Sequence, residues 1–145
     1  MSGHFNNANF AGMHLIVDFW DSNEEILKDS DAIRSSLIRA AKAAGATVLA
    51  DNFHYFGEES GVTGVVVLSE SHISIHTWPE EGYAAVDIFM CGDCDPRKSV
   101  NVIATALESN RFDSNLLFRG IRRTASRASD VDTRTADPAI RLVRK

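Results

Sequence analysis

Residues 69–91 concentrate the side chains able to do covalent chemistry. Ser69-Glu70-Ser71-His72-Ile73-Ser74-Ile75-His76-Thr77-Trp78-Pro79-Glu80 brings hydroxyl, carboxylate and imidazole groups together, and Phe89-Met90-Cys91 adds a thiol. A serine hydroxyl that follows a strained peptide can attack the carbonyl before it and turn an amide into an ester. Removal of the serine α-hydrogen then expels the ester by β-elimination. The dehydroalanine left behind becomes a pyruvoyl group once it tautomerises and loses ammonia. This chemistry needs strain, a hydroxyl and a nearby base. Glu70-Ser71 supplies the hydroxyl, although the same dipeptide also suits an ordinary polar loop. His76 is the candidate base, because imidazole titrates near neutral pH; an isolated histidine reads more simply as a structural group on a sheet face. Cys91 is a candidate proton donor to carbon, set against the usual fate of a free cysteine as a small buried hydrophobe. Cys91-Gly92-Asp93-Cys94 also has C-x-x-C spacing. It would serve redox chemistry or half a zinc site, with His54, His72 or His76 recruited. Without a second ligand pair, metal binding is the weaker reading.

These groups need strands to position them. Val62-Thr63-Gly64-Val65-Val66-Val67-Leu68 is nearly continuous in apolar character, which predicts a central strand covered on both faces. Gly64 within it would admit a close approach of backbone or ligand. Residues 72–78 alternate, with His72, Ser74, His76 and Trp78 on one face and Ile73, Ile75 and Thr77 on the other. Pro79 ends that run. Residues 83–90 form the next strand, aligning Ala85, Asp87, Phe89 and, by extension, Cys91. A first strand spans residues 12–20 with Leu15, Val17 and Phe19 on its buried face. Ser22 and Glu25 suggest a capping box. A helix over about residues 30–44 carries Ile33, Leu37, Ala41 and Ala44 on one stripe and stops at Gly45. Residues 47–56 read as a strand around His54, and 57–61 as a turn. Asp95 as N-cap and Pro96 as first helical residue open a second helix, striped by Val100, Ile103, Ala104 and Leu107. Residues 114–122 are the last expected strand, carrying Leu116, Leu117 and Phe118. The pattern predicts a two-layer α+β sandwich, with a mainly antiparallel sheet and helices on one face. The polar face left open must meet water or a second subunit.

At 145 residues, 44% hydrophobic and 24% charged, the chain suits one globular domain, taken as residues 1–122. It lacks an apolar run near the ~20 residues that span a bilayer, so no membrane partner is expected. The polar N-terminus does not read as a secretory signal. Two cysteines make no disulfide framework, and the expected location is cytoplasmic. Charge is uneven. Residues 1–118 hold seven basic and seventeen acidic side chains, whereas residues 119–145 hold eight basic and three acidic ones. An acidic body argues against nucleic acid. The basic tail, residues 123–145, has no aromatic ring to stack on a base and is expected to be disordered.

The run from Gly61 through Glu80, with its E-S-H-x-x-I-H-T-W-P-E core, and the run Gly82-Tyr83-Ala84-Ala85-Val86-Asp87-Ile88-Phe89-Met90-Cys91-Gly92 closely resemble the prokaryotic S-adenosylmethionine decarboxylase family. The likeness extends through Gly12-Met13-His14-Leu15, Gly45-Ala46-Thr47 and Asn52-Phe53-His54. It implies a proenzyme that cleaves itself between Glu70 and Ser71, giving a β chain 1–70 and an α chain 71–145. Ser71 would become the covalent pyruvoyl cofactor. By the same likeness His76 falls on the processing histidine, Cys91 on the catalytic acid, and Thr63 on a hydroxyl position that assists processing. The pyruvoyl ketone would form a Schiff base with S-adenosylmethionine and act as electron sink, as pyridoxal phosphate does elsewhere. The product feeds spermidine synthesis. Phe56 matches an aromatic that stacks on adenine, while Trp78 and Glu80 would wall the nucleoside pocket. The family also implies a dimer of αβ units. The acidic turn Gly57-Glu58-Glu59-Ser60 departs from the commoner pattern. It keeps open a relative acting on ornithine or arginine. A non-catalytic α+β binding or metal module is the third reading.

Overall fold

The computed structural model describes residues 10–57 and 60–121. Six strands form one sheet: β1 (Gly12–Trp20), β2 (Val48–Tyr55), β3 (Val62–Leu68), β4 (Ser71–Trp78), β5 (Tyr83–Cys91) and β6 (Arg111–Arg119). Their spatial order is β2-β3-β4-β5-β1-β6, and every neighbouring pair is antiparallel. Helices α1 (Glu24–Lys28), α2 (Ser30–Ala43) and α3 (Arg97–Ala106) complete the described elements, with a 3-10 turn at Pro79–Glu81. The expected two-layer α+β sandwich is what forms.

Alternation decides which face is covered. Leu15, Val17 and Phe19 of β1, Ile73 and Ile75 of β4, and Val86, Ile88 and Met90 of β5 all point to the helices and are fully or almost fully buried. Ile33 and Leu37 of α2, together with Ile103 and Leu107 around α3, close over them. The two long helices also meet each other, and the buried Ser99 hydroxyl donates to the Ala40 carbonyl at 2.9 Å. Asp29 caps α2 by accepting from the Asp31 and Ala32 amides. Gly45, at φ 85°, turns the chain out of that helix as its sequence position suggests.

Four sequence expectations are corrected. The cap of α1 is Asn23, which accepts from the Glu25 and Ile26 amides; Ser22 lies one residue too early. The second long helix starts at Arg97, with Pro96 just before it, although Asp95 still accepts from the Arg97 amide. The last strand begins at Arg111 and ends at Arg119. β3 is not covered on both faces: Val62, Val66 and Leu68 are buried, but Val67 is 40% exposed. All helices lie on one side, so a strand of mixed valines has a dry face and an open one. The tail 123–145 and part of the turn 57–61, namely Glu58 and Glu59, fall outside the described residues.

Gly64 also has a different reason from the one expected. A Cβ there would lie 2.0 Å from a ring atom of Phe53, its partner on β2. The glycine makes room for a neighbouring aromatic ring within the sheet. Gly64→Ala should therefore cost about 1–3 kcal/mol through overpacking. Urea unfolding checks this, and adding Phe53→Leu should recover part of the loss.

Candidate active site

Glu70 and Ser71 sit in the tight hairpin between β3 and β4. Leu68 pairs with Ser71, so Ser69 and Glu70 alone make the turn. Hairpins this short want positive φ in the loop or just after it, which glycine or asparagine supplies easily. Here the requirement falls on Ser71, at φ 129°. A serine in that conformation holds about 1–3 kcal/mol of backbone strain. The strain lies at the peptide bond that the sequence singled out.

Hydrogen bonds grip this corner from two sides. The Cys91 amide at the end of β5 donates to the Glu70 carbonyl at 2.9 Å. The Thr47 amide donates to Glu70 Oε2 at 2.9 Å, and the Ser69 amide donates to the Thr47 carbonyl at 2.9 Å. Cys91 itself is half-buried and free, while Cys94 is buried. Burial pushes the Cys94 thiol up, with Glu70, Cys91 and Asp93 adding to the effect.

A second group lies on the open face at the other end of β4. Thr63 and His76 are register partners on β3 and β4, and Thr63 Oγ1 is 3.0 Å from His76 Nδ1. His54, opposite Thr63 on β2, meets Phe56 edge-on at 4.6 Å between ring centroids. Phe56 is 61% exposed and Trp78 40% exposed. Trp78 stacks on Tyr83 at 5.2 Å, and Tyr83 stacks on Trp20 at 4.4 Å. The Tyr83 hydroxyl donates to Asp18 at 2.6 Å. Burial first, then that carboxylate, pushes its pKa up to about 12. Glu80 follows in the 3-10 turn and is exposed.

The structure thus joins Glu70, Ser71 and Cys91 in one cluster, and Thr63, His76 and Trp78 in another. It does not join the clusters within one chain. His76 is five residues along extended β4 from Ser71, a separation of about 16 Å at ~3.3 Å per residue. Between them lies a network that sequence reasoning did not assign to the site. Arg119 Nη1 is 3.1 Å from His14 Nδ1, and His14 Nε2 is 2.9 Å from Asp87 Oδ1. A guanidinium only donates, so Nδ1 accepts and Nε2 carries the proton toward Asp87. The Arg119 guanidinium also lies over Phe89 at 5.6 Å. Alternation already put His14 and Asp87 on the open faces of their strands, but only the pairing of β1 with both β5 and β6 brings the three together.

These features define a class: a two-layer α+β protein with one open sheet face, bearing a strained Glu–Ser peptide beside a thiol. The S-adenosylmethionine decarboxylase family profile matches residues 13–120, and the chain belongs to that family. Over 101 residues it is 52% identical to the S-adenosylmethionine decarboxylase proenzyme of Thermosipho melanesiensis, covering 69% of this chain and 77% of the relative. It is 45% identical over 111 residues to the proenzyme of the same description from Methanococcus maripaludis, covering 76% and 90%. Among solved structures, the adenosylmethionine decarboxylase of Aquifex aeolicus VF5 superposes with a TM-score of 0.72 at 36% identity, over 83% of this chain and 99% of that one.

The strain at position 71 has a direct test. Neither Ser71→Gly nor Ser71→Ala retains a hydroxyl, but only glycine relaxes at positive φ. Ser71→Gly should be the more stable of the two by about 1–3 kcal/mol in thermal or denaturant unfolding. Equal stability would show that the φ is not strained.

Proposed function

We propose that this chain is a proenzyme that cleaves itself between Glu70 and Ser71 and then decarboxylates S-adenosylmethionine. The observation that carries this reading is the strained Ser71, joined to a carbonyl that already accepts a hydrogen bond from the Cys91 amide. Attack by the Ser71 hydroxyl moves the acyl group of Glu70 from nitrogen to oxygen and releases the strained peptide. The Cys91 amide stabilises the developing oxyanion on Glu70. His76 accepts the Ser71 α-hydrogen, and the ester leaves as the Glu70 carboxylate. Tautomerisation and hydrolysis of the remaining dehydroalanine release ammonia and leave a ketone at position 71. For His76 to act as base through Nε2, its Nδ1–H donates to Thr63 Oγ1, which fits their 3.0 Å separation.

The resulting pyruvoyl ketone supplies an electron sink for loss of carbon dioxide from an amino acid. Ser71 fits as its source because it follows a tight hairpin and adjoins Cys91. The Cys91 thiol returns a proton to the substrate carbon. Phe56 and Trp78 offer exposed ring faces to adenine and to a sulfonium cation. Glu80 accepts from the ribose hydroxyls. The descriptions of the relatives favour S-adenosylmethionine over ornithine or arginine.

The gap between the clusters implies a second copy. Two chains packed open face to open face about a two-fold axis bring one copy's Thr63, His76 and Trp78 onto the other copy's Ser71 and Cys91. A dimer of αβ units then carries two equivalent sites, each built from both chains. The half-exposed aromatic and valine side chains of the open face support such a contact.

Intact mass should give two chains that meet between residues 70 and 71, and the processed protein should release carbon dioxide from S-adenosylmethionine faster than from ornithine or arginine. A single uncleaved chain after prolonged incubation overturns the reading. The shared site is checked by co-expressing Ser71→Ala with His76→Ala. Neither variant alone should cleave, but the mixture should, and only in the His76→Ala chain. Absence of cleavage in a verified mixed dimer would place base and serine in the same chain.

A further inference from the structure

Glu70 is held twice, and the two holds come from different parts of the fold. Its carbonyl is fixed by the Cys91 amide at the end of β5. Its side-chain carboxylate is fixed by the Thr47 amide, in the connector between α2 and β2. That connector is itself anchored. The Ala46 amide donates to the Ala41 carbonyl at 3.0 Å, and the Thr47 carbonyl accepts from Ser69, the other residue of the hairpin turn. The Asp95 amide donates to the Ala44 carbonyl at 3.1 Å, tying the same connector to the segment that follows Cys91. The residue before the strained serine is therefore stretched between two rigid supports.

We propose that the Glu70 side chain is a positioning group for self-cleavage, an inference that rests on the self-cleaving reading above. Anchored at Oε2, residue 70 cannot rotate its carbonyl away from the Cys91 amide. Ser71 in turn cannot relax by flipping the peptide that joins them. The carboxylate touches no reacting atom; it acts through the backbone it holds. An acceptor oxygen at the end of a side chain of this length meets the Thr47 amide at 2.9 Å. Reach matters more than charge in this arrangement, because the acceptor must span from the turn to Thr47.

The test separates reach from charge. Proenzyme made by a short pulse of cell-free translation is followed to two chains by denaturing electrophoresis. Glu70→Gln keeps an acceptor oxygen at the same distance and should cleave at a rate within a few-fold of the unmodified chain. Glu70→Asp keeps the charge but is one methylene short, and should cleave slower by about tenfold to a hundredfold, the scale on which small misplacements act. Fast cleavage by Glu70→Asp overturns the proposal, because reach is then irrelevant. Slow cleavage by Glu70→Gln also overturns it, because charge rather than the anchor then governs. Failure of the unmodified chain to cleave refutes self-cleavage itself, a separate result that removes this proposal with it. Circular dichroism of each variant in the Ser71→Ala background verifies the fold independently of cleavage.

Discussion

A two-residue hairpin must turn the chain back on itself, and the geometric demand of that turn falls on Ser71. Glycine would meet the demand without strain, but glycine has no hydroxyl. The position therefore combines the conformation of one residue with the chemistry of another. Much of the surrounding fold serves to keep this combination in place. β3 and β4 form the hairpin, the end of β5 supplies the Cys91 amide, and the connector into β2 supplies Thr47. A hairpin free in solution would shed the strain by changing its turn or slipping its register. Here the dry faces of both strands, with Val66, Leu68, Ile73 and Ile75 in the core, hold the register fixed.

The one-sided helical cover has a second effect. It leaves a sheet face that is neither a core nor an ordinary wet surface. His14, Asp87 and Arg119 satisfy one another there, and Trp20, Tyr83 and Trp78 stack in a row across β1, β5 and β4. Networks of this kind hold their polar side chains in one arrangement. The cavity of about 300 Å³ between α3 and β6, lined by Leu15, Arg97, Val100, Phe112 and Leu116, opens on the helix side instead and is remote from Ser71.

Much of this was legible in the sequence, for identifiable reasons. Period-two alternation in residues 72–78 put His72, Ser74 and His76 on one face, and the register agrees. The stripe Ile33, Leu37 and Ala41 located α2, and those residues are buried. The cluster of hydroxyl, carboxylate and imidazole groups drew attention to Glu70-Ser71, and the family resemblance added the expectation of a cut there. What alternation could not supply was pairing. It could not tell that β1 lies between β5 and β6, and so it left Arg119, His14 and Asp87 as three unrelated residues. It named His76 as the candidate base for Ser71 without setting the distance between them, and extended backbone puts residues five apart at about 16 Å, at ~3.3 Å per residue. It read a run of valines as doubly covered, because apolar content alone does not show where the helices lie. Gly64 was read as admitting a backbone or a ligand, when a side-chain ring from the next strand fills the space.

The strand order carries one more consequence. A cut after Glu70 assigns β1, β2 and β3 to one piece and β4, β5 and β6 to the other. Read across the sheet, ownership runs two strands from the first piece, two from the second, then one from each. The pieces are interleaved like clasped fingers, with β1 gripped on both edges by strands of the other piece. Severing the backbone at that hairpin would free one local constraint while three antiparallel ladders still bridge the two pieces. With the β3–β4 ladder and both ladders of β1 in place, the halves would stay wedded and could not drift apart without dismantling the whole sheet.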